Sequence, residues 1–352
     1  MEQLKFKCAR QRGVSLVELM ISMTLGLIIL SALVYVYTSS RSAYRINENL
    51  ARVQESGRFA LEYLSQDLRM SSYAGCRSRN LAADKDTLFN ITANPAAAFD
   101  GSNGIEGFEN GTGWTNPGTV ARSAGDVMTV RRASSLAIPL TANTDFDTRT
   151  LSMLNNSLGI GRNDLVLLAN CERAMLFRVT NNPPATAPGK HPTTLAFGSA
   201  GNLAALNVPP FNQASRAEVL RFGTYSFFVG RGPNGESALY RTDGSVAEAI
   251  VDGVIDMELQ FALDDSIPAD GVADRYLPAS AIKTTAPNEW SKAIGVRVSL
   301  LVASGDDGLA ANPMSYVLRD LDGDGEPDTE TAPDRRLYQV FTTTIALRNR
   351  VL

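Results

Sequence analysis

One long apolar segment near the start of the chain dominates the pattern of hydrophobic and polar positions. From Leu16 to Tyr37 the only charged residue is Glu18. About 20 consecutive apolar residues in a helix cross the ~30 Å hydrocarbon core of a bilayer. The pattern therefore predicts a transmembrane helix over residues 14–37.

A helical spacing of apolar residues continues beyond this segment. Apolar or small residues recur at steps of three and four, at Ile46, Leu50, Val53, Gly57, Ala60, Leu64 and Leu68. Polar and charged residues fill the positions between them, so one face of the helix is apolar. One continuous helix from Val14 to about Met70 is predicted, with residues 38–71 as its amphipathic part. A plain membrane anchor followed by a stalk helix has the same outline.

Beyond residue 71 the pattern changes to short runs rich in β-branched and aromatic residues, separated by turn residues. Eight strands are predicted, over Val127–Val130, Asp164–Leu168, Ala174–Thr180, Val219–Val229, Ser237–Arg241, Met257–Leu263, Val296–Val302 and Tyr338–Leu347. We expect an α+β architecture, in which the amphipathic helix packs on antiparallel sheet within a β-rich globular domain, residues 72–352. A second β-rich lobe is compatible with this pattern.

Composition and charge narrow the classes of function. Of the 352 residues 44% are hydrophobic, enough for a sizeable core, and the formal net charge is −4. An acidic chain has no general basic surface for phosphates, so no nucleic-acid partner is predicted. One histidine and three cysteines provide little material for a zinc cluster or a His-based catalytic triad.

A basic leader precedes the apolar segment. The charged residues of this leader, residues 1–13, are Glu2, Lys5, Lys7, Arg10 and Arg12. Positive flanks stay on the cytoplasmic side of a membrane, so the rest of the chain is expected to cross it. A cleavable secretory signal has a shorter apolar region followed by small residues at a cleavage site. The sequence before Thr38 has no such site, and we expect the apolar segment to be retained.

The junction between leader and helix reads Gly13-Val14-Ser15-Leu16-Val17-Glu18. This junction, the basic leader and the long apolar helix together resemble the class III signal of type IV pilins. In that family a prepilin peptidase cuts after the glycine and methylates the new N-terminus. The resemblance implies cleavage after Gly13 and methylation of Val14, which stands where many relatives have phenylalanine.

Glu18 has a role under this resemblance. A carboxylate within an apolar span costs about 2.5–3.5 kcal/mol at the centre of a membrane and less near its edge, so it requires a partner. After cleavage, Val14 carries an ammonium group. The carboxylate of one subunit can then neutralise the amine of the next within an apolar filament core, which makes Glu18 an assembly residue.

Four later segments resemble the PilW group of minor pilins, which is related to the J-type minor pseudopilins. They are residues 71–76, 164–180, 251–263 and 340–350. The resemblance implies a type IV pilin fold and a minor pilin that primes pilus assembly at the tip, in support of twitching motility or adhesion, without enzyme activity. The implied partners are other minor pilins, the major pilin, the prepilin peptidase, the inner-membrane assembly platform and a large tip adhesin. The implied location is the bacterial inner membrane, with the C-terminal domain in the periplasm, and then the extracellular pilus tip.

Besides a ligand-binding role at the tip, for adhesion or DNA capture, two alternatives remain at this stage. A minor pseudopilin of a type II secretion system uses the same helix and the same glutamate, Glu18. A periplasmic enzyme held by an uncleaved signal anchor belongs to another class. It predicts a nucleophile and a base in one site, which a chain with one histidine does not visibly offer.

Cysteine positions predict a disulfide bond. Cys8 is lost with the leader, so that Cys76 and Cys171 remain in an oxidising periplasm. The compartment and the family resemblance both favour a bridge between them. Two buried free thiols are the alternative.

An acidic stretch near the C-terminus has the spacing of a calcium loop. The acids Asp320, Asp322, Asp324 and Asp328 occupy relative positions 1, 3, 5 and 9, with Gly325 at position 6. Side-chain oxygens at this spacing wrap a hard cation, and Glu326 at position 7 offers its backbone carbonyl. Position 12 is Thr331 in place of the bidentate glutamate. We expect a structural calcium ion here, and the alternative is a solvated acidic hairpin.

Overall fold

The computed structural model describes residues 13–75, 88–93, 99, 103–118, 120–184, 192–206, 208–209, 211, 216–284, 288–320 and 328–350. The chain divides into two compact units, Met1–Ala51 and Arg52–Leu352. One helix, α1 (Leu16–Arg69), contributes its first part to the first unit and its last turns to the second. The predicted continuous helix is confirmed, with a start two residues later and an end one residue earlier.

The first part of α1 is apolar on all sides. Its most apolar 18-residue window has a mean hydropathy of 2.4, and none of that window is buried. Exposed side chains here include Leu16 at 73% and Tyr35 at 74%. By length and composition this part of the helix can cross a membrane.

The remaining described elements are β-strands and short 3₁₀ turns. The strands are β1 (Leu88–Asn90), β2 (Ile105–Phe108), β3 (Arg122–Pro139), β4 (Thr150–Met153), β5 (Leu165–Ala169), β6 (Ala174–Arg178), β7 (Thr193–Ala196), β8 (Glu218–Arg231), β9 (Ser237–Thr242), β10 (Ala247–Asp252), β11 (Val254–Leu263), β12 (Arg275–Leu277), β13 (Ala293–Ala303), β14 (Ser315–Val317), β15 (Thr329–Thr331) and β16 (Tyr338–Ala346). The 3₁₀ turns are Glu109–Gly111, Ala279–Ala281 and Glu289–Lys292. An α+β fold with a β-rich globular domain is thereby confirmed.

Two larger sheets contain most of the described strands. The first sheet has the order β1-β6-β5-β8-β3-β2, with β9 paired to β8 and β10 paired to β9. The second sheet has the order β12-β11-β13-β16 and is antiparallel throughout. Two small antiparallel pairs, β4 with β7 and β14 with β15, complete the described strands.

The main core combines side chains of the last turns of α1 with side chains of both larger sheets. Leu64 and Leu68 of α1 join Phe227 of β8, Leu259 of β11 and Val298 of β13, and all are buried. Burial of apolar side chains of this size contributes about 1.5–3 kcal/mol each. This core therefore attaches the amphipathic end of the helix to the sheets, as the apolar stripe in the sequence predicts.

A second core lies on one face of β5 and β6. Val166 and Phe177 pack there with Leu151 of β4, Leu195 of β7 and Phe197, and all five are fully or almost fully buried. Alternate side chains of a strand point to opposite faces of its sheet. This cluster is a second core within the unit Arg52–Leu352, and the second β-rich lobe stays a prediction.

Candidate functional site

The junction predicted for processing lies immediately before α1. Gly13, Val14 and Ser15 lie outside the helix, and the carbonyl of Ser15 accepts a hydrogen bond from the backbone N–H of Leu19, at 3.0 Å. A Cβ atom placed on Gly13 would meet nothing within 4 Å. Packing within the chain thus does not explain a glycine at this position.

Glu18 lies in the first turn of α1. It is exposed, and its neighbours Val17 and Ile21 are exposed by 62% and 54%. A negative charge in the first turn interacts favourably with the positive end of the helix dipole. The hydroxyl of Ser22 donates to the backbone carbonyl of Glu18, at 2.7 Å. The structure thus presents this carboxylate on the surface of an apolar helix end.

The last turns of α1 pack on the sheets through an apolar stripe that includes a glycine. Val53, Ala60 and Leu64 of this stripe are buried. Gly57 lies directly over the ring of Phe341 in β16, where a Cβ atom would overlap the ring. A residue without a side chain is needed at position 57 for the helix to lie this close to the second sheet.

A charged cluster fixes the end of α1 to the first sheet. Asp67 forms an ion pair with Arg132 of β3, and its carboxylate lies 3.8 Å from Nε of Arg241 in β9. The two guanidinium groups lie 4.9 and 4.3 Å from the ring centroid of Tyr225, and Arg241 also donates to the hydroxyl of Tyr63, at 2.8 Å. Two cations around one buried carboxylate specify the orientation of the helix end.

The segment after α1 adds to the edge of β3. The backbone N–H of Ser72 donates to the carbonyl of Arg131, at 3.0 Å, and the N–H of Ala133 donates to the carbonyl of Tyr73, at 2.8 Å. The chain therefore leaves the helix along the first sheet, close to β5.

The structure describes one of the two cysteines of the predicted bridge. Cys171 is part of a disulfide bond, and Cys76 lies outside the described residues. Gly75, immediately before Cys76, lies so close to β5 that a Cβ atom on it would be 3.0 Å from Cβ of Ala169. The described chain thus brings position 75 next to the strand that leads to Cys171, and pairing with Cys76 stays a prediction.

The acidic stretch falls on the connection between β14 and β15, which pair as a hairpin. The N–H of Asp328 donates to the carbonyl of Arg319, at 2.7 Å, and this bond closes the base of the connection. Asp320 is half-buried at the other end. The remaining predicted ligands, Asp322, Asp324 and Glu326, lie outside the described residues. Calcium binding therefore stays a prediction.

Comparison with protein families identifies two regions of the chain. Residues 8–34 match the Prokaryotic N-terminal methylation motif, and residues 226–349 match the family described as Type IV Pilus-assembly protein W. Together the two matches support a type IV pilus-related pilin similar to the PilW family. The comparison with curated proteins finds no match, and neither does the comparison with solved structures.

The matched regions of this pilin contain much of the geometry described above. The methylation motif includes Gly13, Val14 and Glu18, and the PilW region includes Arg241 and Phe341, which contact the last turns of α1. Both matches point to a structural, non-enzymatic protein, and the match to Type IV Pilus-assembly protein W suggests partners in a pilus system. The N-terminal helix fits a single-pass membrane anchor.

A second acidic stretch of the pilin, between β11 and β12, has a structural explanation. The carboxylate of Asp264 accepts from the N–H groups of Ser266 and Gly271, at 3.1 and 2.8 Å. The carboxylate of Asp274 accepts from the N–H of Asp265, at 2.7 Å. These acids hold the backbone of their own loop. Among the described residues, no three His, Cys, Asp or Glu side chains form a group that could hold a metal ion.

Asp126 connects the two larger sheets and was not singled out by its sequence context. Its carboxylate oxygens accept from the N–H of Asn110, at 2.8 Å, and from the N–H of Leu259 in β11, at 2.9 Å. Burial raises its pKa from 3.8 to about 6, although both hydrogen bonds lower it. Leu259 is distant in sequence, so no local signal could have indicated this role.

Glu258 precedes Leu259, whose N–H donates to Asp126. It is a second carboxyl group that sequence patterns did not indicate. Burial, together with the negative charge of Asp126, raises its pKa from 4.5 to about 8. Arg319 of the hairpin forms an ion pair with Asp256 and lies 3.6 Å from Glu330. Half-buried carboxyl groups thus outnumber the cations in this part of the second sheet.

Proposed function

We propose that this PilW-family protein is a minor pilin of a bacterial type IV pilus. In this proposal it is inserted in the inner membrane, cut between Gly13 and Val14, methylated on Val14 and assembled at or near the pilus tip. The observation that supports the proposal most strongly is the register of Gly13, Val14 and Glu18 with the start of a helix whose apolar part has no buried surface.

Cleavage would create a positive charge, the ammonium group of Val14, that can pair with the carboxylate of Glu18. The new ammonium group of Val14 lies one helical turn before Glu18 in sequence. Within a packed bundle of apolar helices, an unpaired carboxylate or ammonium costs several kcal/mol, so each would be paired with the other across neighbouring subunits. This pairing would specify the axial register of the subunit in the filament.

The size of the subunit favours a terminal position. The chain has 352 residues, and its globular unit contains two larger sheets and a second core. Every copy in a pilus shaft must repeat around a narrow helical core, and a bulky subunit fits most easily where the assembly ends. We propose that it primes assembly there, in support of motility or adhesion, with other minor pilins, the major pilin, the prepilin peptidase, the assembly platform and a tip adhesin as partners.

A disulfide bond and a calcium ion are proposed as stabilising parts of the periplasmic domain. The bridge would join Cys76 to Cys171, which closes a loop of about 95 residues. The ion would bind the β14–β15 connection through Asp320, Asp322, Asp324, Glu326 and Asp328. The closed base of that hairpin, at Arg319 and Asp328, supports a compact ligand loop.

The assembly role is tested by substituting Glu18→Gln in a strain that lacks the chromosomal copy. The neutral amide keeps the shape but removes the charge, so the protein should be processed yet strongly reduced in sheared pilus fractions. Glu62→Gln, in the part of α1 beyond the apolar segment, is the matched control and should be incorporated normally. Normal incorporation of Glu18→Gln would contradict the proposed role.

A further inference from the structure

Two cavities on the globular unit share a lining residue, and the second of them includes Glu258, Arg319 and Asp320. The first has a volume of about 480 Å³ and lies between the end of β2 with the turn that follows it, residues 106–113, and residues 279–284. The second has a volume of about 470 Å³ and lies between β11, β13 and the β14–β15 hairpin. Glu109 lines both, so they form one groove. Each volume is in the range of about 300–1,000 Å³ that is common for ligand sites.

Carboxyl groups outnumber arginines in the lining of the second cavity, by three to two. Glu109, Glu258 and Asp320 line the second cavity together with Arg297 and Arg319. Both arginines are already engaged by other groups of the chain. The guanidinium of Arg297 lies 4.2 Å from the ring centroid of Tyr276 and donates to Gln260, at 3.1 Å, while Arg319 pairs with Asp256.

A cation in the groove would favour the ionised form of the Glu258 carboxyl group. Its burial and the nearby charges of Asp126, Asp256 and Glu109 oppose ionisation of its carboxyl group, and the positive charge of Arg319 offsets them only in part. A positive group that enters the groove would lower its pKa and gain an ion pair in a partly desolvated place, where such a pair is stronger than at an open surface.

A buried hydrogen-bond donor at the other end of the groove supports a ligand independently of the charges. Trp290 lines the first cavity and is 2% exposed. Its indole nitrogen has no hydrogen-bond acceptor in the described structure, whereas its ring packs edge-on against Phe261 at 4.7 Å. A buried N–H without an acceptor costs about 1–3 kcal/mol, and Ile282 provides an apolar surface beside it.

We propose that this groove binds an extended peptide segment of a partner protein that carries a lysine or arginine next to an apolar residue. The cationic side chain pairs with Glu109 and Glu258. A backbone carbonyl accepts the indole N–H of Trp290, and the apolar side chain packs on Ile282. With Glu258 ionised, the net negative charge of the second cavity disfavours a phosphate-bearing ligand. The inference does not depend on the proposed position of the subunit in a pilus.

The test uses the full-length protein in lipid nanodiscs. A phage-displayed library of random heptapeptides is panned against it, and the most enriched peptide is synthesised. Trp114→Phe leaves Trp290 as the single tryptophan of the two in the chain, so that its fluorescence reports binding in the groove. We expect enriched peptides with a basic residue beside an apolar one, and a change in Trp290 emission on titration.

Variants of Glu109 and Glu258 test whether the peptide binds in the groove. Glu109→Gln with Glu258→Gln should weaken binding at least tenfold, whereas the matched control Glu236→Gln with Glu248→Gln should leave the affinity unchanged. If the double variant loses its near-UV circular dichroism, Trp290→Phe replaces it and should weaken binding severalfold by calorimetry. Enrichment without a basic residue, or equal affinity of the wild type and the groove variant, would overturn the proposal.

Discussion

Gly57 of α1 packs against the ring of Phe341 in β16, and a Cβ atom at position 57 would overlap that ring. The contact joins the amphipathic end of the helix to the edge strand of the second sheet. A glycine inside a helix is less favourable than alanine by about 1 kcal/mol. Its presence is explained by the close approach of helix and sheet.

Gly57→Ala is therefore expected to destabilise the protein despite the better helix propensity of alanine. The overlap forces the ring or the helix to move, at a cost of about 1–3 kcal/mol, which lowers the melting temperature of the detergent-solubilised chain by several degrees. The control is Gly26→Ala, where a Cβ atom meets nothing within 4 Å. In a Phe341→Ala background the penalty should disappear, and a penalty that persists there would contradict the contact as its cause.

Cys171→Ser is expected to lower the melting temperature by several degrees, because a bridge that closes a long loop contributes about 2–5 kcal/mol. Non-reducing peptide mapping of the mature protein should link the peptides of Cys76 and Cys171. Cys8→Ser, in the leader, is the control and should not change the melting temperature. Alkylation of both thiols without prior reduction would show that the pairing is wrong.

Calcium is expected to stabilise the folded protein through the β14–β15 connection. The gain is RT ln(1 + [Ca²⁺]/Kd), about 2.7 kcal/mol at a hundredfold excess over Kd. Isothermal titration of the full-length chain should show one site, and Asp322→Ala with Asp324→Ala should abolish its heat. The exposed pair Asp147→Ala with Asp252→Ala should retain it. If calcium produces no heat of binding with the wild type, the calcium site is contradicted and the stretch is a solvated acidic turn.

Stability is expected to fall as pH rises from about 4 to 8. The folded-state pKa values of Asp126 and Glu258 are raised, to about 6 and about 8, so the folded state binds these protons more tightly than the unfolded state does. Their stabilising contribution is complete below the unfolded pKa values and is lost as pH rises through the folded ones.

Glu258→Gln isolates the second of these groups, since the amide never ionises. At pH 8.5 to 9 it should raise the free energy of unfolding by about 1–2 kcal/mol after allowance for solvent screening. At pH 4 it should change little. Chemical denaturation at both pH values provides the measurement, and an equal effect at the two would contradict the assigned shift.

The parts of the fold that sequence reasoning predicted are those with a local signal. The helix was indicated by an apolar run followed by a regular stripe, and all eight predicted strands occur in the structure. The strands that were missed have six residues or fewer. One of these, β10 (Ala247–Asp252), pairs with β9, and four of its six residues are alanines or acidic residues, which are depleted in strands.

The candidate site likewise has residues that a local sequence pattern indicates and residues that only tertiary packing brings together. The processing junction is readable because Gly13, Val14 and Glu18 are close together in sequence. Gly57 could be placed on the apolar stripe, but Phe341, which explains it, comes from a remote strand. Asp126 and Leu259 are 133 positions apart, and the desolvation of Glu258 depends on both sheets. Contacts of this range are set by tertiary packing and leave no periodic trace in the sequence.

The N-terminal residue of the mature protein tests the central claim most directly. Intact-mass and N-terminal peptide mass spectrometry of protein from native pilus fractions should find a chain that begins at Val14 and carries one methyl group. Gly13→Val should retain residues 1–13, because the peptidase must accommodate the residue before the cleaved bond. Wild-type protein in those fractions with residues 1–13 still attached would contradict processing and, with it, the proposed role as a pilin subunit.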